Sequence, residues 1–138
     1  MNIKNVKVTE VGPRDGFQSE KTILKTEDKI SIINELIDAG FPRIEVSSFV
    51  SPKAIPQLAD AEIILSKIKR SPNTTLAALV PNARGAIRAV EANLDEIVVF
   101  LSASESHNKK NVNRNVDESL IGFREIADIA GKNNIPIQ

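Results

Sequence analysis

Short runs of β-branched and aliphatic residues recur along this chain at intervals that leave room for one amphipathic helix between each pair. That alternation restricts the fold to repeated βα units around a parallel sheet, an α/β class. The runs at residues 6–11, 43–48, 75–80 and 96–101 predict strands, and Ile135-Pro136-Ile137 predicts the opening of a fifth. Four helices are predicted between them. Over 27–39, Thr26 is placed to cap the N-terminus, Glu27 and Asp28 suit the positive first turn, Ile30, Ile33, Leu36 and Ile37 share a face, and Gly40 ends the helix. Over 59–69 the buried set is Ala61, Ile64, Leu65 and Ile68. Over 83–92 Asn82 is the cap, with Ala83, Ile87, Val90 and Leu94 turned inward. Over 117–133 the stripe is Leu120, Phe123, Ala127 and Ala130. An open sheet and half of an eight-stranded barrel both satisfy this order. In either, ligands gather where the strands end at their carboxyl side.

The composition narrows the partners. With 138 residues, 41% hydrophobic and 26% charged, the chain is long enough for one core. Eighteen basic residues offset eighteen acidic ones, so no net field draws in nucleic acid or an anionic membrane. A small molecule is the expected partner. The absence of cysteine excludes a disulfide framework, a thiolate zinc site and a cysteine nucleophile within these residues. No apolar run approaches the roughly twenty residues of a membrane span. The first strand is expected to start too early to leave room for a leader peptide, which makes the cytoplasm the expected location.

The polar residues cluster where the strands are expected to end. Gly12-Pro13-Arg14-Asp15-Gly16-Phe17-Gln18 follows the first strand and brings a guanidinium, a carboxylate and a carboxamide onto one tight turn. Asp15 is a hard oxygen donor of the kind Mg²⁺ or Mn²⁺ prefers, and Arg14 suits a carboxylate or a developing enolate. An isolated Arg-Asp pair would ordinarily be a surface ion pair. Glu45 interrupts an apolar strand between Ile44 and Val46, and a buried carboxylate there requires a cation. Arg14 is the candidate, although a structural ion pair or an outward-facing Glu45 would fit the same residues. Ser48 ends that strand, Asn82 follows the next, and Ser102, Ser104, Glu105 and His107 follow the fourth. His107 is the single histidine and is read as a surface or hydrogen-bonding residue.

Longer stretches carry a resemblance. Glu10 to Lys21 (EVGPRDGFQSEK), Ile44 to Lys53 (IEVSSFVSPK), Pro56-Gln57, Pro81-Asn82, Ser102 to Glu105 and Lys109 to Asn113 together resemble the 3-hydroxy-3-methylglutaryl-CoA lyases over nearly the whole chain. The Gly-Pro-Arg-Asp phrase favours these lyases over the related Claisen-condensing synthases. The resemblance implies the N-terminal half of a metal-dependent (β/α)8 TIM barrel, with residues 1–138 forming part of one catalytic domain that continues beyond Gln138. It implies retro-Claisen cleavage of 3-hydroxy-3-methylglutaryl-CoA, or a close homologue, to acetyl-CoA and acetoacetate. Asp15 matches the metal ligand, for Mg²⁺ or Mn²⁺. Arg14 would stabilise the enolate oxygen, with Glu45 holding it. Gln18 and Ser48 match substrate contacts, and the loop carrying Lys109, Lys110 and Asn111 would lie near the CoA moiety.

The resemblance also implies what these residues lack. A His-x-His pair, an Asn and a mobile-loop cysteine belong to the second half of such a barrel, so this segment by itself is expected to be inactive. The full-length enzyme is expected to be a homo-oligomer. Two competing functions fit the same residues: a Claisen-condensing acyltransferase of the same superfamily, and a non-catalytic half-barrel serving as a binding module.

Overall fold

The computed structural model describes residues 6–138. It is an α/β fold with parallel strands, in which β1 (Arg43–Ser48), β2 (Thr75–Leu79) and β3 (Glu96–Val98) lie side by side in chain order. Glu10 adds a parallel bridge to Ile44 on one side of the sheet, and Ile137 adds one to Ile97 on the other. Five consecutive segments therefore advance in one direction. A doubly wound open sheet would reverse that order at a switch point, whereas steady advance is the progression of a barrel.

The outermost segments are shorter than their sequences suggest. The strand expected over 6–11 is reduced to the bridge at Glu10, with its amide 3.0 Å from the Arg43 carbonyl and its carbonyl 2.8 Å from the Glu45 amide. Val6 and Val8 are exposed. The segment at 135–137 pairs as expected at its single bridge.

β1 contains a bulge. Glu45 pairs with Ala77 and Ser47 with Ala78, so Val46 is an extra residue on one strand. Arg43, Glu45 and Ser48 consequently share the inner face with Thr75, Ala77 and Leu79, while Ile44, Val46 and Ser47 face the helices. Ile44, Val46, Leu76, Ala78, Val80 and Ile97 form the sheet's side of the core. Ser47 Oγ is buried there with no hydrogen-bond partner among the described residues.

The helices dock on that outer face. Preceded by the single turn α1 (Phe17–Ser19), α2 (Thr26–Asp38) buries Ile33 and Ile37 and ends at Gly40, whose φ of 83° suits glycine. Thr26 is not its cap: Lys25 occupies that position, and the Thr26 hydroxyl donates to Asp60 Oδ2 at 2.7 Å. α3 (Ala61–Lys67) follows a 3₁₀ turn at Pro56–Leu58 and buries the expected Ala61, Ile64, Leu65 and Ile68. α4 (Ala83–Glu91) is capped by Asn82 as expected, Oδ1 accepting from the Gly85 amide at 2.9 Å. Its buried face is Gly85, Ala86 and Ala89 with Leu94 beyond, and Ile87 is exposed. The small residues win because α4 sits close to the sheet: a Cβ on Gly85 would stand 3.0 Å from the Phe49 carbonyl oxygen. Arg88 reaches back to stack on Phe49 and to donate to Glu62 on α3. Partial burial works to raise the Glu62 carboxyl, but the hydrogen bonds and charge around it, chiefly from Arg88, hold it below its usual value.

α6 (Val116–Lys132) opens on a reciprocal cap between Asn115 and Glu118. Its buried stripe is Ser119, Gly122, Ile126 and Ala130; Ala130 is buried and Phe123 packs against the core as expected, whereas Leu120 and Ala127 are exposed. α5 (Glu105–Val112), capped by Ser104, stands where the sequence suggested a loop.

Lys29 is the largest fully buried side chain. Its ammonium donates to the Gln57 carbonyl at 2.6 Å and to both oxygens of Asp60 at 2.9 Å, fastening the segment between β1 and α3 to α2. Lys29→Met would leave Asp60 without its cation and is expected to cost about 3 kcal/mol in a denaturant titration of the full-length protein. A change below about 0.5 kcal/mol, the level of an ordinary surface substitution, would make this pair incidental. The 138-residue chain alone is expected to self-associate, because Val6, Val8 and Ile137 stand exposed at the two sheet margins and Leu120 and Ile121 on α6. Light scattering should report a mass well above 15.1 kDa, and a stable monomer would contradict this.

Candidate active site

After the bridge at Glu10 the chain turns through one wide π-helical turn, Gly12–Gly16, with Pro13 near its start. The amides of Arg14 and Asp15 both donate to the Val11 carbonyl, at 3.1 and 2.7 Å. This is more regular than the tight turn read from the sequence, and it sets the two side chains next to each other. Gly12 allows the Glu10 carboxylate to fold over it and accept its amide at 2.6 Å, since a Cβ there would meet Glu10 Oε1 at 2.8 Å.

Arg14 Nε donates to Glu45 Oε2 at 2.9 Å, and Arg14 Nη1 to Asp15 Oδ1 at 2.6 Å. Glu45 thus faces inward and takes Arg14 as its partner, as the buried carboxylate required. Its other oxygen lies 3.9 Å from Arg43 Nη1. Arg43 in turn makes a two-pronged pair with Glu96 on β3, at 3.0 and 3.2 Å, and donates to the Thr9 hydroxyl at 3.1 Å. The register sets Ala77 between Glu45 and Glu96, and its small side chain leaves room for Arg43 to bridge β1 to β3. Arg43 and Glu96 were not singled out from the sequence. The signal was present, because residues 43 and 45 share a face by simple strand alternation.

The pair opens onto a cavity of about 760 Å³ at the carboxyl ends of the strands. Arg14, Gln18, Glu45, Ser48 and Asn111 all line it. Ser48 owes its place to the bulge and donates to the Leu79 carbonyl at 3.3 Å. Asp15 stands beside this lining with its carboxylate 63% exposed. Lys109 and Lys110 differ from expectation: they project from α5 as exposed side chains and contribute nothing to the cavity wall. Arg114, four residues on from Lys110, lines the cavity. His107 is exposed, with Nδ1 3.3 Å from Ser102 Oγ.

Chemically, the site offers a guanidinium held by a buried carboxylate, with a second carboxylate exposed at its rim. Among the described residues no three His, Cys, Asp or Glu side chains converge on one point. Asp15 alone is a suitable oxygen donor for a hard divalent cation but supplies only a fraction of the roughly six donors that Mg²⁺ takes.

The chain matches the HMGL-like family model over residues 5–138. It is 48% identical to the hydroxymethylglutaryl-CoA lyase YngG of Bacillus subtilis over 132 residues, which are 96% of this chain and 44% of that protein. It is 46% identical to a 3-hydroxy-3-methylglutaryl-CoA lyase of Danio rerio named cytoplasmic, covering 96% of this chain and 40% of that one. A crystal structure of the Bacillus subtilis HMG-CoA lyase superposes with a TM-score of 0.94 at 47% identity, over 97% of this chain and 45% of the other. An HMG-CoA lyase from Acinetobacter baumannii, solved in complex with coenzyme A and 3-methylmalate, superposes with a TM-score of 0.89 at 45% identity, over 94% of this chain and 42% of the other. The chain spans less than half the length of each of these relatives. With its parallel units in barrel order and a family match that runs to its last residue, the chain belongs to the HMGL-like family.

Proposed function

We propose that this chain supplies the anion-stabilising half of a metal-dependent carbon-carbon lyase site that cleaves 3-hydroxy-3-methylglutaryl-CoA, or a close homologue, to acetyl-CoA and acetoacetate. The observation that carries this reading is Arg14, fixed by Glu45 and opening onto the cavity at the strand ends, in a chain 40 to 48% identical to HMG-CoA lyases.

In a retro-Claisen step the proton of the tertiary hydroxyl goes to a base, the hydroxyl carbon becomes the ketone of acetoacetate, and the electrons of the broken carbon-carbon bond move to the thioester carbonyl. The resulting enolate of acetyl-CoA then takes a proton at carbon. Negative charge therefore appears on an oxygen that was neutral in the substrate. A guanidinium already held in place meets that charge without reorganising, a contribution of about 3 kcal/mol to the barrier. Glu45 keeps Arg14 from turning to solvent, and Gln18 and Ser48 offer polar contacts to the acyl portion. No base is assigned among the cavity side chains described, since both oxygens of Glu45 face guanidinium groups.

Asp15 suits a divalent cation, Mg²⁺ or Mn²⁺, which when bound would acidify the substrate hydroxyl and fix its carboxylate. The charge balance supports this assignment. Three carboxylates (Asp15, Glu45 and Glu96) face two guanidinium groups (Arg14 and Arg43), and Asp15, the most exposed, carries the surplus. The remaining donors and the base are assigned to residues beyond 138. A cytoplasmic location belongs to the same reading and follows the Danio rerio relative, whereas the Bos taurus relative is named mitochondrial; cell fractionation tests it.

In the full-length protein, Arg14→Gln is expected to lower kcat by at least about a hundredfold with a much smaller change in KM, as loss of a transition-state contact requires. A raised KM at unchanged kcat would make Arg14 a ground-state binding residue. Asp15→Ala is expected to weaken Mg²⁺ or Mn²⁺ binding by more than about tenfold in a calorimetric titration, with an unaltered circular dichroism spectrum. An unchanged metal Kd would remove Asp15 from the coordination sphere.

A further inference from the structure

Of the two guanidinium groups that line the cavity, Arg14 is balanced by Glu45 and Asp15, and Arg114 is not. Among the described residues the Arg114 side chain has no ion pair and no hydrogen bond, and residues 1–5 contain no acid. Asp117, the nearest acid in sequence, is exposed and forms no ion pair with Arg114, and the next two are committed elsewhere. Glu105 accepts the Val116 amide at 3.1 Å, and Glu118 accepts the Asn115 amide at 2.8 Å, so between them they neutralise the N-terminus of α6 rather than the guanidinium.

The backbone beneath Arg114 is anchored. Asn108, 1% exposed, donates to the carbonyls of Arg114 and Asn115 at 3.1 Å and to Ser119 Oγ at 2.8 Å, and its own carbonyl accepts the Ser102 amide at 3.0 Å. Ser102, Arg114, Asn115 and Ser119 thus meet on one buried side chain. The guanidinium itself rests on α6 where a side chain is missing: a Cβ on Gly122 would lie 2.8 Å from Arg114 Nη1.

An unpaired, half-buried cation on a cavity wall, with its backbone fixed and a gap cut for its head group, fits an anionic ligand group. Resting on the carbon-carbon lyase reading above, we propose that Arg114 binds an anionic group of the acyl-CoA ligand, either a CoA phosphate or the free carboxylate of the acyl chain. Asn108 is its positioning residue, and Lys109 and Lys110 are not the anion contacts of this segment.

The test uses the full-length protein with Arg114→Gln, Arg114→Lys and Gly122→Ala, calorimetric Kd values for free CoA, and steady-state kinetics on 3-hydroxy-3-methylglutaryl-CoA. Arg114→Gln is expected to lose about tenfold in affinity, the scale of one charge-assisted contact, at unchanged kcat and with a native circular dichroism spectrum. Arg114→Lys should recover most of that loss, and Gly122→Ala should lose several-fold with the charge still present. A phosphate as the bound group shows as a weakened Kd for free CoA. A carboxylate shows as a raised KM with that Kd unchanged. Wild type that binds CoA, together with an Arg114→Gln variant unaltered in both Kd and KM, overturns the role of Arg114 while leaving the proposed function standing. Wild type that neither binds CoA nor turns over the acyl-CoA removes both.

Discussion

The Glu45 carboxylate, buried on the inner face of β1, is the constraint around which the rest of the structure is arranged. A charge in that position cannot remain unpaired, since removing the partner of a buried ion costs about 3–5 kcal/mol. Arg14 meets it from the turn before β1, and Arg43 approaches from two residues earlier on the same strand. Arg43 then needs its own counter-charge, which β3 supplies as Glu96 across the small Ala77. One buried acid thus determines the identity of residues on three consecutive segments. It also explains why the inner face, elsewhere apolar at Leu79 and Val98, carries a line of alternating charge that ends at Arg14 and Asp15 at the cavity rim.

Much of the fold was legible because periodicity is a strong signal where one face is apolar. The strand at Arg43–Ser48 and the buried set Ala61, Ile64, Leu65 and Ile68 stand as the pattern predicts. Helix phase was harder. In α4 and α6 large aliphatic residues alternate with glycine and alanine; packing close to the end of β1 selects Gly85, Ala86 and Ala89 over Ile87, and in α6 Ser119 meets Asn108 and Gly122 meets Arg114 while Leu120 is exposed. Hydrophobicity alone points to the larger side chain. Steric approach decides for the smaller one, as the 3.0 Å gap above Gly85 shows. The choice between an open sheet and a barrel was likewise undecided by pattern, because it depends on which strands are neighbours.

The candidate site divides in the same way. Arg14 and Glu45 were found because a lone acid in an apolar strand and a nearby cation imply each other. Arg43 and Glu96 were overlooked because each begins a strand, where a charge needs no explanation. The basic run at 109–114 has no apolar stripe to mark α5 as a helix, so the sequence alone suggests a loop. As a helix it turns Lys109 and Lys110 to solvent and leaves Arg114, past the left-handed Asn113, on the cavity.

The bulge at Val46 acts as a change of parity. Along an unbroken strand Glu45 and Ser48 lie three positions apart and would sit on opposite sides of the sheet. One extra residue lets the strand count as odd below and even above, so a charged lower half and a hydroxyl-bearing upper half face the same cavity. The inner surface therefore cannot be retuned by sliding β1 in small steps. Taking Val46 back into the ladder without the bulge would turn Ser48 toward the helices and bring the unpartnered Ser47 hydroxyl to the ligand side. The site is joined to its scaffold by an integer, and only changes that preserve that integer are open to it.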